Sequence, residues 1–296
     1  MKKLVPFLLA ALLLSILTGC GGSGSAKSEP PAAPADSQAT DAPVPTEEPV
    51  PEAPAEEDIL AEAEKLYYED HDFEGAYALM QSVDSPALPA LLSFMGDCCY
   101  NGIGTAADGE EAFRLYSLAA RQDSGLGLFG LGICTRFGAG TERDKDKSNE
   151  ILLQAVDKLV KETEQESDPY TLGRMYYSLG HCYLYNQGVE RDPELAEEYL
   201  KKAVEYKNPS AMEYLGQILS QRGDETEALK YHAAAADGGD AMGAINAGLQ
   251  YLRGIGTDPD PALAVKYLQM AKDRGVPDPD LDGILQEAQD ALNARP

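Results

Sequence analysis

From Ile59 onward, apolar residues recur at helical spacing in short blocks, and each block is punctuated by glycine and then aspartate. Spacing of this kind predicts amphipathic helices, each presenting one apolar face. The blocks also resemble one another. A glycine that we read as closing a first helix stands at Gly96, Gly132, Gly180, Gly216 and Gly248, at intervals of 36, 48, 36 and 32 residues. Aspartate follows at Asp108, Asp144, Asp192, Asp224 and Asp260. Four residues beyond each comes a small side chain (Ala112, Ser148, Ala196, Ala228, Ala264), and later an alanine (Ala119, Ala155, Ala203, Ala235, Ala271). Self-similarity at such periods is the mark of a repeat array.

The physics of one unit follows from these positions. Loop glycines such as Gly102 and Gly104 supply backbone angles that other residues resist, and Asn186 stands in for one of them. Each aspartate reads as the N-cap of a second helix, accepting an orphan N–H. Pro193 and Pro261 sit one residue later, where a missing N–H costs nothing. Asp108 with Glu111 has the spacing of a capping box. A lone pair of helices cannot bury its apolar face, so the stack is the folding unit. The expected fold is all-α, an α-solenoid of stacked helix-turn-helix repeats.

The best copies are LGHCYLYNQGVERDPELAEEYLKKA from Leu179 and AGLQYLRGIGTDPDPALAVKYLQMA from Ala247. Their Leu-Gly-x-x-Tyr-x-x-Gly-x-Gly core, with the Asp and Ala that follow, resembles the Sel-one-like repeat, a relative of the tetratricopeptide repeat. The family's tyrosine position is met by Tyr183 and Tyr251 but holds Cys99, Thr135 and Leu219 elsewhere, and family tryptophan is absent. The resemblance spans Pro86 to Gly275. It implies five repeats over 86–275, a tetratricopeptide-like hairpin at 58–85 and a C-terminal capping helix at 276–296. Repeat two carries about twelve extra residues between Val156 and Met175, expected as a longer helix and a loop near Glu166 to Tyr170. Repeat four lacks loop residues around Gln221 to Gly223.

The first residues have another character. Lys2 and Lys3 precede an apolar run from Leu4 to Leu17, shorter than the roughly 20 residues needed to span a bilayer. Leu17-Thr18-Gly19-Cys20 resembles a bacterial lipobox, which implies a signal peptide over 1–19 and a diacylglyceryl thioether on Cys20. Two or three acyl chains would hold such a protein stably at a membrane. Residues 20–57 are rich in Gly, Pro, Ala and Glu and lack aromatic residues, so they cannot offset their own ordering entropy and are expected to form a disordered tether. The whole chain carries 50 acidic against 24 basic residues, a net charge of −26. That balance repels phosphate backbones and argues against nucleic-acid binding.

Candidate chemistry is sparse. Cys98, Cys134 and Cys182 share one slot two residues after the repeated glycine. Stacked helices place such slots roughly 10 Å apart, beyond the 7 Å or so that a disulfide allows. They read as small buried residues, with Cys99 as the free thiol. The resemblance includes secreted members stapled between the helices of a repeat, but here no cysteine falls on a second helix. Gly125-Leu-Gly127-Leu-Phe-Gly130 matches a dinucleotide fingerprint without the preceding strand it needs. Asp278-Pro-Asp280-Leu-Asp282-Gly283 matches the start of a calcium loop but meets Gln289 where glutamate is required. His232 falls on a packing position and His181 is isolated. No catalytic residue, metal site or cofactor is expected.

One stripe does vary. Positions three before, one after and five after the glycine share a helix face. They read Ser93, Asp97, Asn101; Phe129, Ile133, Phe137; Tyr177, His181, Tyr185; Glu213, Gln217, Gln221; and Ile245, Leu249, Arg253. First helices line the concave side in related solenoids. The aromatic block Phe129, Ile133, Phe137, Tyr177, His181 and Tyr185 has the composition of an interface anchor, although part of the stripe is equally placed to be core between repeats. The expected function is a lipid-anchored module at the bacterial membrane, outside the cytoplasm, that binds unidentified protein partners of the cell envelope or scaffolds them. The alternative is a protein that binds or hydrolyses cell-wall fragments, as suspected of some secreted relatives.

Overall fold

The computed structural model describes residues 54–274 and 279–294. Everything described belongs to one unit, Pro54–Pro296. The signal peptide, Cys20 and the tether through Ala53 lie outside the described residues.

Among the described residues the secondary structure is wholly helical. An N-terminal hairpin pairs α1 (Glu56–Tyr68) with α2 (Phe73–Gln81). Repeat one pairs α3 (Pro89–Asn101) with α4 (Gly109–Ala120), and repeat two pairs α5 (Gly125–Phe137) with α6 (Lys145–Glu162). Repeat three is α7 (Pro169–Tyr185) with α8 (Pro193–Glu205), and repeat four is α9 (Pro209–Arg222) with α10 (Glu225–Asp237). Repeat five joins α11 (Ala241–Arg253) to α12 (Pro261–Asp273), and α13 (Leu281–Asn293) covers its open end through Leu281, Leu285 and Ala288. The extra residues of repeat two lengthen α6 and the start of α7, leaving only the short stretch 163–168 between them; Tyr170 is already helical.

The repeated glycine does not close its helix. Each first helix of the five repeats continues past it for more than a turn. What the glycine provides is close approach. A Cβ at Gly96, Gly132, Gly180, Gly216 or Gly248 would stand 2.7, 2.6, 2.8, 2.3 or 2.7 Å from Tyr116, Leu152, Leu200, His232 or Leu268 respectively. These five side chains occupy one slot on the second helices, so each glycine receives the same neighbour in every repeat. The actual helix ends are left-handed residues: Gly102 (φ 68°), Gly138, Asn186, Gly223 and Gly254. Two residues on, Gly104 lies so close to Phe73 of the preceding hairpin that a Cβ would fall 2.1 Å from its carbonyl oxygen. The loop glycines therefore both turn the chain and seat one unit on the last.

Most of the expected caps form. Asp72, Asp108, Asp144, Asp192 and Asp260 each accept a backbone N–H at the start of a second helix. Two details differ from expectation. Asp224 makes no side-chain cap at the start of α10. Glu111 does not reach back to complete the capping box; its carboxylate is held by Arg114 at 2.7 Å.

First helices stack on first helices, α3 on α5, α5 on α7 and α9 on α11, whereas among second helices only α10 and α12 pack to a similar extent. First helices thus line the inner face. The array also curls far enough to meet its own beginning. Tyr68 stacks on Tyr170 with ring centroids 4.7 Å apart, and the Tyr170 hydroxyl donates to Glu69 at 2.7 Å. Phe73 packs under Gly239 and beneath the guanidinium of Arg274. Arg174 of α7 binds Asp97 of α3 at 2.7 Å and lies over the Phe94 ring. The N-terminal hairpin is thereby held by repeats three and five as well as by repeat one.

Candidate functional site

The variable stripe grades from core to surface along each first helix. Three residues before the glycine, Ser93, Glu213 and Ile245 are buried and Phe129 and Tyr177 are half-buried. One residue after it, Asp97, Ile133, His181, Gln217 and Leu249 are all half-buried. Five after it, Asn101, Phe137, Gln221 and Arg253 are exposed and Tyr185 is half-buried. The stripe is therefore packed between repeats at its inner end and open to solvent at its outer end.

Repeat one's polar positions are occupied internally. Ser93 returns its hydroxyl to the carbonyl of Pro89, and Asp97 accepts from the Tyr116 hydroxyl as well as from Arg174. Repeats two and three, with the neighbouring α9, hold the rings together. His181 sits at the centre: its ring lies 5.6 Å from Phe129, 5.9 Å from Tyr177, 4.9 Å from Tyr185 and 5.8 Å from Tyr214. Isolated in the sequence, it is the hub of the cluster in space. Tyr214 also lies 5.8 Å from both Tyr177 and Tyr185. Edge-to-face and tilted pairs at these separations favour ring packing beyond simple area burial. Ile133 packs at the margin of the core on the same helix face, and Phe137, 36% exposed, marks its outer end.

Tyr214 was not among the residues expected here. It sits two before its glycine, where the other repeats hold Phe94, Gly130, Ser178 and Asn246. That mixed column was the available signal.

Electrostatics separate the hub from its border. Burial, with a smaller push from Arg136, lowers the His181 imidazole to about 4, so the ring is neutral at physiological pH. The side chain of the buried Gln187 lies beside the ring and works against that shift. Beside the rings lies Glu213, only 3% exposed, whose carboxylate accepts from the amides of Gln217 (2.5 Å) and Asn246 (3.0 Å). Burial first, and the Asp240 carboxylate second, raise its pKa.

The remaining chemistry is packing. Cys98, Cys99, Cys134 and Cys182 are all free and all buried, so Cys99 is not set apart as the free thiol; it contacts the Tyr77 hydroxyl at 3.1 Å. Burial raises Cys134 and Cys182 to about 12. His232 fills its packing slot and donates from Nδ1 to Oε1 of Gln250 at 2.7 Å. Gly125 to Gly130 lie inside α5, not in a phosphate loop. Asp278 lies outside the described residues, and Asp282 is engaged by Lys272 at 2.8 Å. Among the described residues no cluster of metal-ligating side chains occurs, and no helix is long and apolar enough to cross a membrane.

Comparison with known proteins follows the repeats. The sequence profile of the Sel1 repeat matches five segments, 90–124, 125–158, 174–205, 209–240 and 241–276. No curated protein matches the chain. Similar solved structures include a Sel1 repeat protein from Oxalobacter formigenes, 19% identical, covering 78% of this chain and 96% of its own, with a TM-score of 0.43. An immunity protein, Pa5087 of Pseudomonas aeruginosa, is 17% identical over 68% of this chain and 90% of its own, with a TM-score of 0.39. The protective antigen c5321 of uropathogenic Escherichia coli is 16% identical over 80% of this chain and 61% of its own, with a TM-score of 0.34.

Proposed function

The chain belongs to the Sel1 repeat family, and from that premise we propose that it works as a protein-binding module whose receiving surface is the aromatic end of the inner stripe on α5, α7 and α9. Repeat proteins of this family are in general interaction scaffolds without catalytic groups. The observation that carries the reading is the cluster around His181, in which Phe129, Tyr177, Tyr185 and Tyr214 remain partly exposed while touching one another. Rigid rings on a preformed face lose little conformational freedom on binding, which is why such residues concentrate at interface hot spots. Ile133 and Phe137 extend the face toward solvent.

The address of the module is part of the proposal. Lipidation of Cys20, supported by Leu17-Thr18-Gly19-Cys20 and the apolar run before it, would place the array on the outer side of a bacterial membrane. Since α1 already begins at Glu56, the 35 residues from Gly21 to Ala55 would let it range roughly 35 to 110 Å from the lipid, depending on how extended they are. Crosslinked pull-down from native membranes tests both parts. Partners should be recovered with wild type and reduced by Phe137→Ala or Tyr185→Ala while the far-ultraviolet circular dichroism stays unchanged. Cys20→Ala should abolish metabolic labelling with palmitate. Labelling that survives Cys20→Ala, or partner recovery indifferent to both aromatic substitutions, overturns the corresponding part.

A further inference from the structure

The irregular second repeat also builds a cleft on the outer side of the array. In three other repeats the second loop glycine seats on the first residue of the preceding second helix. Gly104 meets Phe73 of α2, Gly140 meets Gly109 of α4, and Gly256 meets Glu225 of α10. Gly188 seats instead on Leu153, the ninth residue of α6, where a Cβ would stand 2.4 Å from the backbone nitrogen. The seat has slipped by eight residues, about 12 Å along the helix axis. The first two turns of α6 therefore overhang the loop between α7 and α8. Where loop and helix meet, a cleft of about 700 Å³ is lined by Leu153, Tyr183 and the loop residues Gly188 to Asp192.

This lining departs from the repeat at two positions. The residue after the loop glycine is Thr105, Thr141 and Thr257 in the other full-length loops but Val189 here. The column of Leu153 otherwise holds Ser117, Lys201, Ala233 and Gln269. Leu153 is 46% exposed, and Val160, on the same face of α6, is 39% exposed. Apolar side chains exposed where the other units carry polar or small ones add little to the core, and contiguous ones mark a surface that is covered by a partner. The Tyr183 ring stacks on Tyr199 at 5.8 Å and so keeps a fixed place in the wall. The rim is acidic. Glu190 and Asp192 line the cleft, and Asp157 is exposed one turn after Leu153. The nearby cations are engaged: Arg191 donates to the Leu184 carbonyl at 3.2 Å, and Lys202 lies over the rings of Tyr176 and Tyr199.

We propose that this cleft is a second docking surface, which takes a basic segment of a partner protein. An apolar side chain of that segment seats on Leu153, Tyr183 and Val189, and an adjacent lysine or arginine meets Glu190, Asp192 and Asp157. Charge complementarity selects this occupant. A second copy of a chain of net charge −26 would be repelled by the acidic rim, and so would an acidic segment. The cleft shares no residue with the aromatic face, so it stands or falls apart from the reading above.

The test is selection of random linear peptides displayed on phage against the full chain at physiological salt, where general attraction to an acidic surface is screened. Counter-selection uses the double variant Leu153→Ser, Val189→Thr, which restores residues that other repeats carry at these positions. Surviving peptides are titrated by fluorescence anisotropy. They should share an apolar residue beside a lysine or arginine and bind the double variant about tenfold more weakly. Glu190→Gln and Asp157→Asn should each weaken them about threefold, as expected for exposed charges. Tyr185→Ala, on the aromatic face, should bind them as wild type does. Thermal melts identify any variant that fails to fold, and Val189→Thr alone with Glu190→Gln keeps the test decisive if Leu153→Ser is one of them. Counter-selection that leaves no peptide overturns the proposal. Survivors without a basic residue, or indifferent to both acid substitutions, overturn the proposed occupant. Survivors lost in Tyr185→Ala but retained by Val189→Thr overturn the cleft while sustaining the aromatic face as the binding surface.

Discussion

Glu64→Gln should stabilise the protein increasingly as pH rises. Glu64 lies on α1, 1% exposed, with the Thr171 hydroxyl donating to it at 3.4 Å. Burial first, then the neighbouring Asp168 carboxylate, push its pKa up from 4.5 to about 8; Arg174 and the Thr171 hydroxyl pull the other way and only partly compensate. In the unfolded chain the group ionises near its ordinary value. Between the two values the folded state therefore holds a proton that the unfolded state has released. Stability must then fall as pH rises through this window, by about 1.4 kcal/mol for each pH unit. Glutamine resembles the protonated acid in size and polarity, so near pH 5 the variant should match wild type closely. By about pH 8 it should be more stable by a few kcal/mol, with roughly 4 to 5 kcal/mol as the ceiling set by the width of the window. Urea unfolding followed by circular dichroism across this pH range measures the difference directly, and equal m-values would confirm that the same surface unfolds in both proteins. Glu213 is raised by similar causes, but it is present in both proteins and cancels in the comparison. A difference between variant and wild type that stays flat from pH 5 to 8 would refute the buried-acid assignment.

Other consequences are as concrete. Gly132→Ala places a methyl 2.6 Å from Leu152 Cδ2 and should lower the urea midpoint by an amount equivalent to about 1–3 kcal/mol; in the Leu152→Ala background the added cost should shrink, because the clash is gone. Arg174→Met removes the ion pair to Asp97 and the contact over Phe94. Because the Asp97 side chain is 39% exposed, the loss should be about 2 kcal/mol, below the range for a fully buried pair. Its signature in hydrogen exchange should be faster exchange in α3 and the start of α7, which the pair joins, with α11 and α12 unchanged. In the native protein Cys98, Cys99, Cys134 and Cys182 should all resist a thiol reagent until urea is added; fast modification of Cys99 alone would contradict its burial.

Much of this architecture was legible because its rules are local. Aspartate before a helix, proline one residue later and glycine in the loop each answer a backbone requirement within a few residues, and the array repeats them. The misreading of Gly96 and its counterparts has a physical reason. Helical periodicity shows that a glycine lies on a buried face but not whether the helix stops there, and a missing Cβ serves close approach as well as termination. Asp224 stands at the expected position yet makes no side-chain cap, a difference that residue type alone does not reveal. In the candidate site, Phe129, Tyr177, His181 and Tyr185 were found from helix spacing. Tyr214 and Glu213 were not assigned to it, since their approach to the rings depends on how α9 packs beside α7. Contacts across the curl, such as Tyr68 on Tyr170, lie 100 or more residues apart and depend on the pitch accumulated over several repeats.

That pitch gives the irregular second repeat its purpose. The extra residues extend α6 to 18 and α7 to 17 residues, against 12 to 14 for the other repeat helices. The gain in α7 falls on its first two turns, and these turns carry Tyr170, Thr171 and Arg174, the side chains that bind Glu69, Glu64 and Asp97. The same helix carries Tyr177, His181 and Tyr185 two turns later. One end of α7 is therefore fixed to the N-terminal hairpin while the other presents the aromatic face. A helix held at one end by an ion pair to a buried guanidinium and by a stacked ring is a stiff support, and stiffness lowers the ordering cost of binding at its other end. Arg174→Met should therefore weaken binding of the partner recovered at the aromatic face, although Arg174 touches none of the clustered rings. The loss should appear mainly as faster dissociation. An affinity unchanged by Arg174→Met, in a protein whose α3 and first turns of α7 exchange faster, would show that the latch and the binding face are independent.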